Sequence, residues 1–169
     1  MKNLNSLLLL LPFIFHSCIY DGEYDTNYYS DYQPILMKRS DLANSIKWVD
    51  AREPVSTGKI YIKGDYLFIN EKFEGIHVYD NSDPSNPIAK GFITIPGNID
   101  ISIREDIFYA DNAKDLVAFR VVNNNSIQLL DRNENVFPEL RPPDVFGIPS
   151  QYTEENRPEN TVIVKWILK

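Results

Sequence analysis

The chain has 169 residues, with 17 Lys plus Arg against 24 Asp plus Glu and a formal charge of −7. That length gives one domain, and 43% hydrophobic with 12% aromatic residues supplies a core, which excludes a disordered chain. The acidic balance argues against a nucleic-acid partner, because phosphate backbones are bound through Lys and Arg that displace counterions.

Residues 1–17 carry one charge, Lys2, ahead of the apolar run Leu7 to Leu11 and then Pro12, Phe13, Ile14 and Phe15. This is the pattern of a cleaved secretory signal. The run is shorter than the roughly 20 residues that span a bilayer, and Pro12 interrupts it. Cys18, the only cysteine, follows directly behind Ser17. The tetrad Phe15, His16, Ser17, Cys18 resembles a bacterial lipobox, although Phe15 and His16 depart from its usual Leu and small residue. The resemblance implies acylation of Cys18 (palmitate among the chains), lipid anchoring and an outer-membrane address; a single cysteine in any case forbids an intrachain disulfide. Each buried methylene of the lipid adds about 0.8 kcal/mol, so several chains anchor firmly. Cleavage would remove one of the 17 basic residues and none of the 24 acidic ones, taking the charge from −7 to −8, and would leave His77 as the sole histidine.

Residues 18–33 are acidic and tyrosine-dense, with Tyr20, Tyr24, Tyr28, Tyr29 and Tyr32 among Asp and Glu and no strand or helix period. They are expected to form an extended tether. An acidic stretch beside the lipid also resembles sorting signals that send some Gram-negative lipoproteins to the cell surface. The folded domain is expected over 34–169. Near its start, Ser40 or Asp41 can cap a short helix through Leu42, Ala43 and Ile46; a first strand over 45–49 is the preferred alternative.

From Lys59 onward the hydrophobic period is two. Ile60 and Ile62 alternate with Tyr61 and Lys63, and Gly64 and Asp65 turn the chain into Tyr66, Leu67, Phe68 and Ile69. A turn over 71–75 leads into Ile76, His77, Val78 and Tyr79; the Asx and proline chemistry of 80–87 then reverses the chain into a fourth strand over 88–95. The pattern repeats over 99–131. Residues 99–103 match 59–63 at an offset of 40, 107–111 match 66–70 at an offset of 41, and 115–119 match 75–79 at an offset of 40. Two units, at about 59–98 and 99–131, each of four strands with a period near 40, predict an all-β fold of consecutive four-stranded antiparallel meanders, a partial or shortened β-propeller.

The run from Gly75 through Tyr79 and Asp80 to Pro84 and Pro87, preceded by Asp65, Tyr66, Leu67, Phe68 and Ile69, resembles the LVIVD repeat of bacterial exported proteins. In the second copy Asp115 stands for the Gly, Arg120 for the Asp, and residues 123–125 for the proline turn. The resemblance covers about 59–131 and implies propeller-like architecture without catalytic residues.

Two units fall short of the four blades of the smallest propeller. Pro138, Pro142, Pro143, Pro149 and Pro158 predict an irregular wrapping segment, and residues 161–168 a last strand that pairs with an early one such as 45–49. Open sheet edges favour self-association.

The chemistry-bearing residues read as structural. His77 sits on a strand opposite in phase to Ile76 and Val78, as an exposed or half-buried residue, with no thiol to activate. Asp80, Asn81, Ser82 and Asp83 lack the spaced ligands of a calcium loop, and zinc lacks a Cys and His pair. Glu71 and Glu74 read as a solvated face. No catalytic residue, metal or cofactor is expected. Of the aromatics Tyr61, Tyr66, Phe73, Tyr79, Phe92, Phe108, Tyr109 and Phe119, most are expected in the core, and any exposed subset would suit stacking on a sugar or gripping a protein. The expected function is a non-catalytic binding or scaffolding lipoprotein of the envelope with a protein or glycan partner. The alternatives are a glycan- or peptide-processing hydrolase and a shortened inactive copy of a larger propeller protein.

Overall fold

The computed structural model describes residues 29–123 and 125–169. The signal segment 1–17, Cys18 and residues 18–28 of the expected tether lie outside the described residues. Eleven strands dominate what is described. They run β1 (Tyr32–Lys38), β2 (Lys47–Val49), β3 (Thr57–Lys63), β4 (Tyr66–Glu71), β5 (Gly75–Asp80), β6 (Ile88–Thr94), β7 (Ile101–Arg104), β8 (Ile107–Asn112), β9 (Asp115–Val122), β10 (Ser126–Asn133) and β11 (Thr161–Leu168). One short helix, α1 (Arg39–Ala43), follows β1. No helix among the described residues is long and apolar enough to cross a membrane.

The chain is all-β, built of consecutive antiparallel meanders in a partial propeller-like arrangement. The first sheet has the order β2-β6-β5-β4-β3 and the second β10-β9-β8-β7. The turns follow from their residues. Asp80 accepts the amide of Ser82 at 3.1 Å and Asp83 that of Ser85 at 3.0 Å, the Asx geometry that reverses a strand without backbone ladder bonds. Gly75 holds φ at +142°, and a Cβ there would lie 2.0 Å from the Ile93 carbonyl oxygen, so only glycine lets β5 leave its turn so close to β6.

Register assigns each residue to a face. On the first sheet Phe68 pairs with Val78, and Ile76 with Ile93, so these four share one face. On the second, Phe108 pairs with Phe119 and Ala110 with both Val117 and Ile101. The two faces bury each other as the main core. Phe68 meets Phe108 edge-on with ring centroids 5.1 Å apart, and Phe108 stacks on Phe119 at 5.2 Å.

The remaining strands depart from the sequence reading. Residues 161–168 form the expected strand, but it pairs with β1, from Tyr32 against Leu168 to Lys38 against Thr161, and not with residues 45–49. Tyr32 and Gln33, assigned to the tether, are thus paired strand residues. A register shift between Ile35 and Leu36 skips Val164 and lets Ile163 and Trp166 share one face. They pack with Leu140, Phe73 and Tyr152, while Val162 and Val164 pack on Leu42 and Ala113. Helix and strand both form over 39–49: Leu42 is fully buried, and β2 joins the outer side of β6. The proline-rich segment 134–160 is irregular apart from one 3₁₀ turn, Ser150–Tyr152.

Candidate functional site

Where the two sheets splay apart, a cleft of about 270 Å³ opens between them. The cleft lies beside two equivalent turns, Gly64–Asp65 and Glu105–Asp106, and Gly64 and Glu105 both adopt φ +55°. Its floor is Phe68, Val78, Phe108 and Val121, and its mouth holds Trp48, Tyr66, Lys63, Glu105 and Asp106. Tyr66 is 38% exposed and stacks on Phe68 at 6.2 Å, continuing the row of rings out of the core to solvent. Trp48 lies flat against the backbone of Gly91, where a Cβ would meet the indole at 2.3 Å. An apolar floor with a few polar groups at its mouth is the common form of a small binding site. The volume suits one ring or one side chain.

Sequence reasoning placed Tyr66, Phe68 and Phe108 among the aromatics but could not say that they meet. It missed Trp48, whose place depends on β2 adding to β6 and on a glycine opposite it. Of the aromatics named from sequence, Phe92, Phe108 and Phe119 are buried, whereas Tyr66 and Tyr109 are the exposed subset. Tyr109 lies on the outer face of the second sheet, beside a second cavity of about 450 Å³ lined by Ser102, Asp111, Leu116 and Phe137 among others. Burial pushes the carboxyl of Asp111 up despite the amides of Asp100 and Ile99 that it accepts.

The titratable cluster of the first sheet differs from the sequence reading. His77 is buried, 1% exposed, and Glu71 is 3% exposed, not part of a solvated face. His77 Nε2 lies 2.7 Å from Glu71 Oε2, Arg52 Nη2 donates to the same oxygen at 3.0 Å, and the amides of Val55 and Ser56 donate to Oε1. The Arg52 guanidinium also caps the Phe92 ring at 3.8 Å, and that ring meets His77 edge-on. Burial raises the Glu71 carboxyl, but the His77 hydrogen bond, the Arg52 charge and the Val55 amide outweigh it and hold it below the usual range. The partner of Glu71 came from a loop 19 residues away, which no local pattern announces. Glu74, by contrast, stays one-third exposed and pairs with Lys165 at 2.6 Å.

Through Glu71, Arg52 and the amides of Val55 and Ser56 tie the loop at 50–56 to the sheet, so the work of this cluster is structural. Asp80 and Asp83 are committed to turn amides, and no group of three His, Cys, Asp or Glu among the described residues is placed to hold a metal ion. Cys18, the expected lipidation site, lies outside the described residues.

A scan against protein-family models, a search of curated proteins and a search of solved structures find no match. Any likeness to the LVIVD repeat rests on the residues that carry it.

Proposed function

We propose that this chain is a lipid-anchored envelope protein of the LVIVD-like kind, held through Cys18 at the outer membrane, and that it acts as a non-catalytic binding or scaffolding module. The cleft between the sheets is its recognition site. One observation carries this reading: the aromatic row Phe108, Phe68, Tyr66 runs from the core to the surface beside Trp48, with Lys63, Glu105 and Asp106 around the mouth. Stacking area with a mixed-charge rim recognises a sugar ring or an aromatic or aliphatic side chain of a partner. The lining offers no imidazole to activate a nucleophile for acyl transfer.

The test is NMR titration of the protein with simple sugars and short aromatic peptides, reading the Trp48 indole N–H. Shifts that cluster at Trp48, Lys63, Tyr66 and Glu105 and vanish in Trp48→Ala support the reading. Turnover of any of these probes, or shifts confined to other surfaces, would overturn it. Mass spectrometry of the exported protein addresses the anchor, with an acylated N-terminal Cys18 as the expected species.

A further inference from the structure

Strand register relates the first hairpins of the two units by an offset of 41: Ile62 pairs with Leu67 and Lys63 with Tyr66, as Ile103 pairs with Phe108 and Arg104 with Ile107, which makes Ile60 and Ile62 the counterparts of Ile101 and Ile103. Their environments differ sharply. Ile101 is 4% exposed and belongs to the core between the sheets, with Ile103 packed against it. Ile60 is 61% and Ile62 68% exposed. Register places Ile60 opposite Ile69 and Ile62 opposite Leu67, so the β3–β4 edge of the first sheet presents to solvent the same face that the second sheet buries, while His77 and Phe92 farther across that face lie under the loop at 50–56. A terminal module in a stacked array normally carries a polar outer face; this one does not. The chain itself shows what covers that face one unit later: the opposite face of a preceding sheet.

We propose that a second copy of this chain supplies that cover, docking the outer face of its second sheet, around Tyr109, onto the Ile60 and Ile62 face of the first. The contact continues the packing already established within the chain. Phe68 touches Phe108 there; the offset turns that pair into Tyr109 of one copy against Leu67 of the other. Charge matches as well. Within the chain Lys59 pairs with Asp100, and these two are themselves counterparts at the same offset. The docked copy therefore sets its Asp100 against Lys59, and both side chains are accessible, at 41% and 66%. Tyr109 is 36% exposed, and the cavity beside it leaves room for the incoming strand. The contact is head-to-tail. Two copies that make it reciprocally bring the four- and five-stranded sheets to four in all, the blade number of the smallest closed propeller.

The test uses the full chain in a Cys18→Ser background, which removes the only native thiol. Leu67→Cys protein is mixed with Tyr109→Cys protein under mild oxidation. The expected result is a disulfide-linked dimer from the mixture and little from either variant alone. Equal cross-linking by Leu67→Cys alone would mean that the face meets itself and would overturn the head-to-tail contact. Sedimentation gives an independent measure. The unmodified sequence is expected to form a dimer that Ile62→Lys abolishes, with the unfolding midpoint unchanged when both are compared at concentrations low enough to keep the unmodified chain monomeric, because Ile62 is exposed. A monomer at every concentration, or a dimer indifferent to Ile62→Lys, would overturn the proposal. These readouts do not depend on the cleft or on any ligand.

Discussion

The imidazole of His77 and the carboxylate of Glu71 form a buried pair at 2.7 Å, and the same carboxylate receives Arg52 and two amides of the loop that crosses the sheet. Since Glu71 is ionised above its lowered pKa, Nε2–H of His77 is the donor. Removing the acceptor leaves a buried imidazole and two amides without their partner. Glu71→Ala is therefore expected to destabilise the protein by about 3 kcal/mol, the cost typical of breaking one side of a buried charged pair. Urea unfolding checks it, and limited proteolysis at 50–56 should show the released loop.

Acid lability follows from the same groups. Asp115, buried at 1% exposure, accepts Nη1 of both Arg39 and Arg132 at 2.6 Å and the Asn135 amide. Burial raises its carboxyl, but the Arg39 hydrogen bond, the Asn135 amide and Arg132 outweigh it and hold it low, as the partners of Glu71 do there. A carboxylate with a folded pKa below its unfolded value stabilises the fold above the unfolded pKa, near 4 for these groups, and loses that contribution as pH falls through the folded value. Asp111 has the opposite sign, since its raised pKa favours the protonated fold. Stability measured from pH 6 down to about 2 should fall below about pH 4, and Asp115→Asn should flatten that limb while lowering the plateau.

The strand content of residues 59–131 was legible because alternation and turn chemistry are local: Ile60, Ile62, Gly64 and Asp65 announce a hairpin without reference to anything distant. Alternation also told which residues share a face, yet not which face is covered. Leu67 and Phe108 are counterparts with the same phase, and only the second is buried, because only it has a sheet in front of it. Residues 32–38 were illegible for a different reason. Their strand is stabilised by Thr161–Leu168, more than a hundred residues away, and Pro34 with no clean alternation hides it. His77 and Glu71 were misplaced because Arg52 and the loop at 50–56, which bury them, carry no periodic signal.

Gly75 makes a sharp prediction. Its φ of +142° lies in the region open mainly to glycine, and a Cβ would lie 2.0 Å from one backbone oxygen and 2.9 Å from the Ile95 nitrogen. Backbone atoms in a sheet cannot swing aside as a side chain does. Gly75→Ala is expected to cost about 3 kcal/mol or more, through strain and a forced separation of β5 from β6. The counterpart position is Asp115, so Asp115→Gly tests the converse: no relief there, only loss of the Arg39 and Arg132 partners.

Gly91 gives a subtler outcome, since its close neighbour is the indole of Trp48, a side chain at the cleft mouth. A methyl group there must push the ring outward. Gly91→Ala is expected to shift the tryptophan emission to the red with the second tryptophan, Trp166, unaffected in its own buried cluster. Stability should fall by only about 1 kcal/mol, because the ring is displaced and not lost. Binding of any probe that uses the cleft should weaken in parallel with the emission shift.

Tyr61 links the first sheet to the start of the second through its hydroxyl, which donates to Asp100 Oδ1 at 2.5 Å. Burial, the hydrogen bond to that carboxylate and its negative charge push the phenol up from 10.0 to about 12. A raised phenol pKa means that the folded state retains the proton longer than the unfolded chain. The contribution is complete below the unfolded pKa near 10 and disappears as pH climbs toward 12. Ultraviolet titration should therefore show Tyr61 ionising late, beside Tyr79, whose phenol is also pushed up by burial and the Glu53 charge, together with a loss of stability over the same interval. Tyr61→Phe removes the Tyr61 share of both signatures, and it should leave the ring packing in place, since the change deletes a single oxygen.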